Sequence, residues 1–381
     1  MSLSIARRAL HLAKQTAYRF AEGSGLNALL LGSRWRRQRL LILCYHGVSL
    51  RDEHEWDGAL YVSPERFAGR MDQLSQAGCE VLPLGTALDL LKRGTLPPRA
   101  VSITFDDGFH DFHARALPVL EARGWPSTVY LTTYYSLYNV PVFNPMLRYL
   151  LWRGRNGPLS WAEMGIEERV LDEPTRESVR RRLARYCVDG ALRGSEKNHL
   201  LGQLAGRLGV DWDGLLRNRV LHLMNPSEVR EATSKGAAIE LHGHRHCLHQ
   251  TRERFHAELE ENRAAILAMG ARPPSMFCYP GGCHLPEFPE WLAEYGIRSA
   301  TTSDLGLAGP ATDLMTLPRF VDTSRISREE LRGWLSGFAM CLPRRARYGD
   351  RSQLAAAEPD APARPWPDRP DERLVRQAAA G

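Results

Sequence analysis

The chain has 381 residues, of which 43% are hydrophobic and 25% charged, with a formal net charge of +6. These proportions are typical of a soluble globular protein, and the length allows one large domain with insertions. The seven cysteines are scattered and include no Cys-x-x-Cys pair, which argues against a disulfide framework or a cysteine-based zinc site. Reduced thiols in the cytoplasm are the simplest expectation.

The N-terminal segment, residues 1–37, is strongly basic. Glu22 is its one acid, and residues 4–20 have the spacing of an amphipathic helix. Such a helix either makes peripheral contact with an anionic membrane or packs as an ordinary surface helix. The segment lacks the apolar core of a signal peptide, and no apolar run is long enough to cross a bilayer. We therefore expect a cytoplasmic protein, in one interpretation at the inner membrane surface, with no nucleic-acid partner.

Strands and helices alternate along the next part of the chain. Strands are predicted at residues 40–46, 80–84, 100–105, 127–132, 238–241, 275–279, 299–302 and 317–321. Helices are predicted at 64–78, 86–93, 110–123, 226–235, 253–269, 287–295 and 327–339. This alternation fits a closed β/α barrel or an open doubly wound sheet. No glycine-rich phosphate motif follows a strand, which weighs against a nucleotide-binding fold.

Two stretches interrupt this pattern. Residues 134–225 show no strand pattern and contain predicted helices at 174–187 and 196–208, so they are interpreted as a mostly helical insertion. Residues 344–381 are rich in proline, alanine, arginine and aspartate and are predicted to be a disordered tail. The main domain is accordingly placed at residues 38–343.

Two polar clusters follow predicted strands. Asp106 and Asp107 end one strand immediately before a glycine, and two histidines, His242 and His246, follow another strand. Adjacent carboxylates need a compensating charge, and a metal cation would supply it. The two histidines converge on one ion only if the chain curls after His242, which Gly243 permits. One carboxylate and two imidazoles suit catalytic Zn²⁺ and tolerate Co²⁺, Ni²⁺ or Fe²⁺.

The sequences ITFDDG at 103–108 and HGHRH at 242–246 resemble the first two motifs of NodB-type polysaccharide deacetylases, the family-four carbohydrate esterases. FCYPG at 277–281 is similar to the third motif, and the resemblance extends over residues 38–335. It implies a distorted, incomplete (β/α) barrel, a divalent metal, and hydrolysis of acetyl groups on glycans. It further implies that Asp106 is the catalytic base and that the metal ligands are Asp107, His242 and His246.

The chain departs from the family pattern at several positions. Gly243 replaces a serine or threonine, Cys278 replaces the third-motif arginine, and Arg319 stands where a histidine often serves as general acid. By resemblance to the poly-N-acetylglucosamine deacetylases, His46 becomes the candidate acid. Arg319 either pairs with Asp106 or is an ordinary surface arginine, and the backbone N–H of Tyr279 or its neighbour is a candidate oxyanion donor. Tyr279 and Arg319 are thus assigned to substrate binding.

The leading hypothesis is a metal-dependent hydrolase that removes N-acetyl groups from amino sugars of a polysaccharide or its lipid-linked precursor. One alternative is a deformylase or deacylase of another lipid-linked amino sugar. A second alternative is a catalytically inactive glycan-binding relative, which the departures at Gly243, Cys278 and Arg319 would suit.

Overall fold

The computed structural model describes residues 2–192 and 194–343, so the predicted disordered tail at 344–381 lies outside the described residues. Its strands are β1 (Leu41–Tyr45), β2 (Gly47–Val48), β3 (Tyr61–Val62), β4 (Glu80–Val81), β5 (Ala100–Phe105), β6 (Ser127–Leu131), β7 (Pro158–Trp161), β8 (Ile166–Val170), β9 (Ala237–Leu241), β10 (Met276–Cys278), β11 (Ser299–Leu305) and β12 (Leu317–Val321).

The helices are α1 (Ser2–Gly23), α2 (Leu26–Leu31), α3 (Arg34–Arg37), α4 (Glu53–Trp56), α5 (Pro64–Gln76), α6 (Leu84–Arg93), α7 (Leu117–Glu121), α8 (Tyr134–Tyr138), α9 (Phe143–Arg153), α10 (Glu173–Asp189), α11 (Gly194–Arg207), α12 (Trp212–Arg217), α13 (Pro226–Ser234), α14 (Arg252–Ala268), α15 (Phe288–Glu294) and α16 (Arg328–Ser336). A π-helical turn at Phe112–Ala116 precedes α7 where the sequence predicts one continuous helix.

Parallel strands close into a barrel in the order β1, β12, β11, β10, β9, β6, β5 and back to β1, and the short β4 pairs with the start of β5. The barrel is distorted, because β11 and β12 shift register between Thr301 and Leu305, and β9 meets β10 through the single pair Leu241 and Phe277. The predicted distorted barrel is confirmed, and an open sheet is excluded because β1 pairs along the length of β5. Its wall is built from buried aliphatic runs, as expected for strands covered on both faces.

The N-terminal segment forms helices, and it packs against the barrel. Tyr18 of α1 is buried with its ring 6.1 Å from that of Phe338, and Gln15 donates a hydrogen bond to Glu330 of α16. Arg36 is fully buried and donates to the carbonyl oxygens of Leu335, Arg39 and Ala100. Because Ala100 begins β5, the segment covers the barrel at the amino ends of the strands, opposite the end to which β5 delivers Asp106.

The insertion has a hydrophobic core of its own, built mainly from α9, α11 and the segment before α13. The sequence of this mostly helical insertion shows no strand pattern, but β7 and β8 form an antiparallel hairpin around Gly165. The alternating pattern is hidden in the sequence because β8 buries one residue, Ile166, and leaves the other four exposed. The insertion rejoins the barrel where Leu223 pairs with Phe109, directly after the Asp106 and Asp107 turn.

Candidate metal-binding and catalytic site

The two adjacent aspartates lie in a tight turn at the carboxyl end of β5. Asp107 has a φ of 67° and Gly108 a φ of 78°, so two consecutive residues are left-handed. A Cβ on Gly108 would lie 2.3 Å from Cδ1 of Leu131, which together with its φ favours glycine there. The backbone N–H of Asp106 continues the ladder by donating to the Tyr45 carbonyl. The turn directs the neighbouring carboxylates to different partners.

Asp107 lies beside both histidines of the second cluster. Its Oδ1 is 3.3 Å from Nε2 of His242 and 3.3 Å from Nε2 of His246. Ligand atoms bonded tetrahedrally to one ion at about 2.0–2.1 Å would be separated by about 3.3 Å. Burial alone would raise the pKa of Asp107, but the two imidazoles outweigh burial and lower it to about 2. The set of one ionised carboxylate and two imidazole nitrogens fits a divalent ion of the Zn²⁺ type.

The loop after β9 curls as the sequence requires. Gly243 has a φ of 79° and His246 a φ of 57°, and this turn brings the rings of His242 and His246 to 4.9 Å between centroids. The residues between them face elsewhere. Nδ1 of His244 is 2.8 Å from Oγ1 of Thr133, and Arg245 pairs with Glu258.

His242 is held on both sides. Its Nδ1 lies 2.8 Å from the Cys278 carbonyl, which favours a proton on that nitrogen, and Nε2 is the nitrogen that faces Asp107. Its backbone N–H donates to Oδ1 of Asn262, whose Nδ2 donates to the Leu131 carbonyl and to Oγ1 of Thr133. Sequence reasoning missed Asn262. The signal was a fully buried polar residue in the apolar stripe of α14, between Leu259 and Ile266.

Asp106 is paired with Arg319, one of the two alternatives that the sequence left open. The guanidinium donates from Nη1 to Oδ1 and from Nη2 to Oδ2, each at 2.7 Å, and both residues are buried. Burial would raise the pKa of Asp106, but the Arg319 charge and hydrogen bonds reverse the effect and hold it far below its usual value. The carboxylate is therefore ionised and fixed in orientation.

The assignment of Arg319 to substrate binding is wrong, because its donors are committed to the protein. Nε donates to the Thr302 carbonyl, Nη1 also lies 3.3 Å from Oγ1 of Thr104, and Nη2 lies 3.2 Å from Sγ of Cys278. With 1% of its surface exposed, Arg319 contacts Asp106 and not a ligand. It is a positioning residue.

The expectation that the backbone N–H of Tyr279 itself donates to an oxyanion is also wrong. Its N–H donates to the Thr301 carbonyl in the β10–β11 ladder. Its phenol donates to the Met315 carbonyl, and the side chain is buried. Tyr279 therefore supports the loop after β10 and has no free donor for a substrate.

His46 lies at the carboxyl end of β1, at the same end of the barrel as Asp106. Its Nε2 is 3.9 Å from Oδ2 of Asp106, beyond direct hydrogen bonding, and 21% of its side chain is exposed. Its Nδ1 is buried without a hydrogen-bond partner among the described residues. His46 is thus the imidazole beside the Asp106 carboxylate with access from solvent.

Comparisons with known proteins show which family and which folds the chain resembles. A sequence profile of the polysaccharide deacetylase family matches residues 93–150 and 199–300. Over 101 residues the chain is 27% identical to the poly-beta-1,6-N-acetyl-D-glucosamine N-deacetylase of Escherichia coli K12, a match that covers 26% of this chain and 15% of that protein. The chain thus spans less than a sixth of the length of this curated relative.

Two solved structures share the fold. The Streptococcus pyogenes deacetylase PplD, solved in complex with acetate, has a TM-score of 0.52 at 17% identity and covers 78% of this chain and 98% of its own. IcaB from Ammonifex degensii has a TM-score of 0.51 at 18% identity, with 78% and 97% covered. At these identities the two structures establish the barrel architecture alone.

Proposed function

Because the chain belongs to the polysaccharide deacetylase family, we propose that it is a metal-dependent hydrolase that removes N-acetyl groups from amino sugars of a polysaccharide or its lipid-linked precursor. The observation that carries this proposal is the approach of His242 and His246 to one oxygen of Asp107, next to the ionised carboxylate of Asp106. The two clusters are separated by more than a hundred residues in the sequence, and they meet at the carboxyl end of the barrel, where catalytic residues of such barrels lie.

The metal ligands would be Oδ1 of Asp107, Nε2 of His242 and Nε2 of His246. When bound, a divalent ion supplies a Lewis acid that polarises the acetyl carbonyl and lowers the pKa of water. The Cys278 carbonyl and the Asn262 amide hold His242 in the tautomer that this role needs. Zn²⁺ is the first candidate, and Co²⁺, Ni²⁺ or Fe²⁺ suit the same donor set.

In this proposal Asp106 accepts the proton of the attacking water. The water oxygen bonds to the acetyl carbon, the amide C–N bond breaks, and acetate and a free amino sugar are the products. Arg319 keeps Asp106 ionised and in one orientation, although its charge also makes the carboxylate a weak base. His46 donates the proton that the departing nitrogen takes up, and its partial exposure allows it to reach a glycan in the mouth.

The substrate class follows from the family and from the chemistry of the site. The related Escherichia coli protein is named for poly-beta-1,6-N-acetyl-D-glucosamine, so oligomers of that linkage are the first substrates to test. Another N-acyl group, such as formyl on a lipid-linked amino sugar, needs the same metal and carboxylates. A catalytically inactive glycan-binding protein would not need the Asp106 and Arg319 pair.

We further propose that the N-terminal segment makes peripheral contact with an anionic membrane, on the cytoplasmic side. Apolar side chains are unusually exposed there: Leu12 by 66%, Phe20 by 68%, Leu29 by 73% and Trp35 by 40%. Lys14, Arg19 and Arg34 lie within two residues of Leu12, Phe20 and Trp35, and such cations suit acidic headgroups. No helix among the described residues has the length and apolarity to span a bilayer.

The decisive experiment measures acetate and formate release from N-acylated glucosamine oligomers, together with the metal content of the purified protein. We expect acetate release that a chelator abolishes and Zn²⁺ or Co²⁺ restores. Asp107→Ala should be inactive and poor in metal, whereas Asp213→Ala, at an exposed aspartate on the insertion, should match the wild type. Formate release alone would establish the deformylase alternative, and glycan binding without metal uptake or hydrolysis would establish the binding protein.

A further inference from the structure

A second group of histidine and glutamate side chains lies apart from the proposed active site. His110 and His113 are three residues apart just after the Asp106 and Asp107 turn, and Glu228 and Glu231 are three apart on α13. Nδ1 of His110 is 2.9 Å from Oε1 of Glu228, and Nε2 of His113 is 2.8 Å from Oε2 of Glu231. We call these four residues the His110 cluster. Since helical residues three apart share a face, a histidine pair meets a glutamate pair.

The ligand atoms of three residues of the cluster converge. One such atom each from His110, His113 and Glu228 lies within 4.8 Å of the other two, as is also true of Asp107, His242 and His246. Nδ1 of His110 and Oε1 of Glu228 lie 2.9 Å apart, near the separation of about 3.3 Å between two ligand atoms of one tetrahedral ion.

The local backbone is unusual as well. His113 lies in the π-helical turn Phe112–Ala116, the one such turn among the described residues. π-Helical turns are uncommon and are found frequently at functional sites. The π-helical turn is therefore a second indication, independent of the side chains, that this segment belongs to a functional site.

Two cations already contact the glutamates, and each has another partner. Nη1 of Arg219 is 3.0 Å from Glu228, while its Nη2 donates to the Leu223 carbonyl. Nζ of Lys235 is 3.0 Å from Glu231 and also 3.2 Å from Glu121. If an ion took their places on the glutamates, Lys235 would keep its ion pair with Glu121 and Arg219 its hydrogen bond to the Leu223 carbonyl. Oε2 of Glu228 caps α13 through the Asn225 N–H, so Oε1 is the oxygen available to an ion.

We propose that the His110 cluster binds a second divalent metal ion, with two imidazole nitrogens and glutamate oxygens as ligands. This donor set suits Zn²⁺ and its borderline neighbours better than Ca²⁺ or Mg²⁺, which prefer oxygen alone. The ion would fasten the Asp106 and Asp107 turn to the end of the insertion. Those two segments already exchange backbone bonds, from His110 N–H to the His222 carbonyl and from Met224 N–H to the Gly108 carbonyl.

The test counts ions in the full chain with the first site disabled. Asp107→Asn combined with His246→Gln removes two ligands of the proposed catalytic metal. After dialysis against Zn²⁺ and buffer, this variant should retain about one zinc ion per chain, and the wild type about two. Adding His110→Asn and His113→Gln should abolish the remaining ion. His199→Asn, at an exposed histidine on α11, is the matched control and should leave it in place.

Two results would overturn the proposal: a first-site variant that retains no zinc, or retention of the ion after both His110 and His113 are replaced. If the histidine double variant fails to fold by circular dichroism, Glu228→Gln replaces it, because glutamine keeps an oxygen that can accept the hydrogen bond of the Asn225 N–H. Its zinc affinity in the first-site background should fall by about tenfold or more, and an unchanged affinity would exclude the cluster. All readouts are ion counts and affinities, so they are independent of whether the enzyme proves to be a deacetylase.

Discussion

The carboxylate of Asp106 accepts two parallel hydrogen bonds of 2.7 Å from the guanidinium of Arg319, which arrives from β12 on the other side of β1. Both groups are buried, so each is the main compensation for the charge of the other. Removing one partner of such a pair costs about 3–5 kcal/mol, because the remaining charge is left without a counterion.

We predict that Arg319→Met lowers kcat/KM by about a hundredfold or more, because the carboxylate loses its fixed orientation. It should also move the acidic limb of the pH profile to higher pH. Without the guanidinium, burial dominates and the pKa of Asp106 rises, so more alkaline conditions are needed to ionise the base. The measurement is kcat/KM for acetate release between acidic and neutral pH. An acidic limb that does not move would show that Asp106 is not the group that titrates.

Whether the arginine can act from either of two positions can be tested by moving it from residue 319 to residue 278. In the family pattern an arginine stands at the position of Cys278, and here Sγ of Cys278 lies 3.2 Å from Nη2 of Arg319. Cys278→Arg alone should destabilise the protein strongly, because it places a second guanidinium in a fully buried site beside the first.

Cys278→Arg combined with Arg319→His should recover part of the lost stability and activity, because one buried arginine again faces Asp106. The quantity to measure is the coupling energy of the double-mutant cycle, from thermal unfolding and kcat/KM. Additive effects of the two changes would show that the two positions do not share the Asp106 partner.

His46 is predicted to act as an acid and not as a ligand. His46→Gln should lower kcat for N-acetyl substrates by about 10²–10⁴-fold, the usual contribution of proton transfer by a positioned side chain. Its zinc content should equal that of the wild type. An acetyl ester with an activated phenol as leaving group needs no proton, so its hydrolysis should fall much less. If kcat falls equally for the amide and for the activated ester, His46 orients or binds the substrate and does not donate the proton.

The main features of this site could be predicted because each depends on residues that are neighbours in the sequence. A buried strand followed by Asp106, Asp107 and a glycine places the carboxylates at a strand end, and Gly243 permits the curl that brings His246 back toward His242. The alternation of strands and helices left a closed barrel and an open sheet as alternatives, and the resemblance to the deacetylases implied the barrel. The pairing of Arg319 with Asp106 could be stated only as one of two alternatives, because it joins residues more than 200 positions apart.

Other features depend on contacts that no local pattern carries. The N–H of Tyr279 was expected to be free, but its use by the Thr301 carbonyl depends on the register between β10 and β11. The β7–β8 hairpin was missed because β8 is mostly exposed and has no apolar alternation. Asn262 was missed because its partners, Leu131 at the end of β6 and His242 directly after β9, are far apart in the sequence. Such residues become apparent only when the strand order is known.

Asn262 provides a test of how the metal site is supported. Asn262→Ala would leave the N–H of His242 and the carbonyl of Leu131 buried without their partner. We expect a loss of about 1–3 kcal/mol in the free energy of unfolding and a zinc affinity that is 10–100-fold weaker. Thermal unfolding and competitive zinc titration measure the two effects. Asn198→Ala, at a half-buried asparagine on α11, is the control for affinity. A lower stability with unchanged affinity would limit Asn262 to a structural role.

Glu240 offers a prediction about pH that does not involve catalysis. Its Oε2 accepts hydrogen bonds of 2.7 Å from the N–H groups of Ser275 and Met276, yet burial outweighs them and raises its pKa to about 7. The folded chain therefore holds this proton more tightly than the unfolded chain. The resulting stabilisation is fully present below pH 4.5 and is lost as the pH rises through 7.

Glu240→Gln keeps an oxygen that can accept both hydrogen bonds and removes the titration. Between pH 5 and pH 8 the wild type should lose about 2–3 kcal/mol of unfolding free energy relative to this variant. Denaturant unfolding of both proteins at the two pH values gives this difference directly. If the unfolding free energies of the two proteins change equally between pH 5 and pH 8, Glu240 titrates near its ordinary pKa in the folded state. A variant that loses stability equally at both pH values would show instead that glutamine does not replace the carboxylate as an acceptor for Ser275 and Met276.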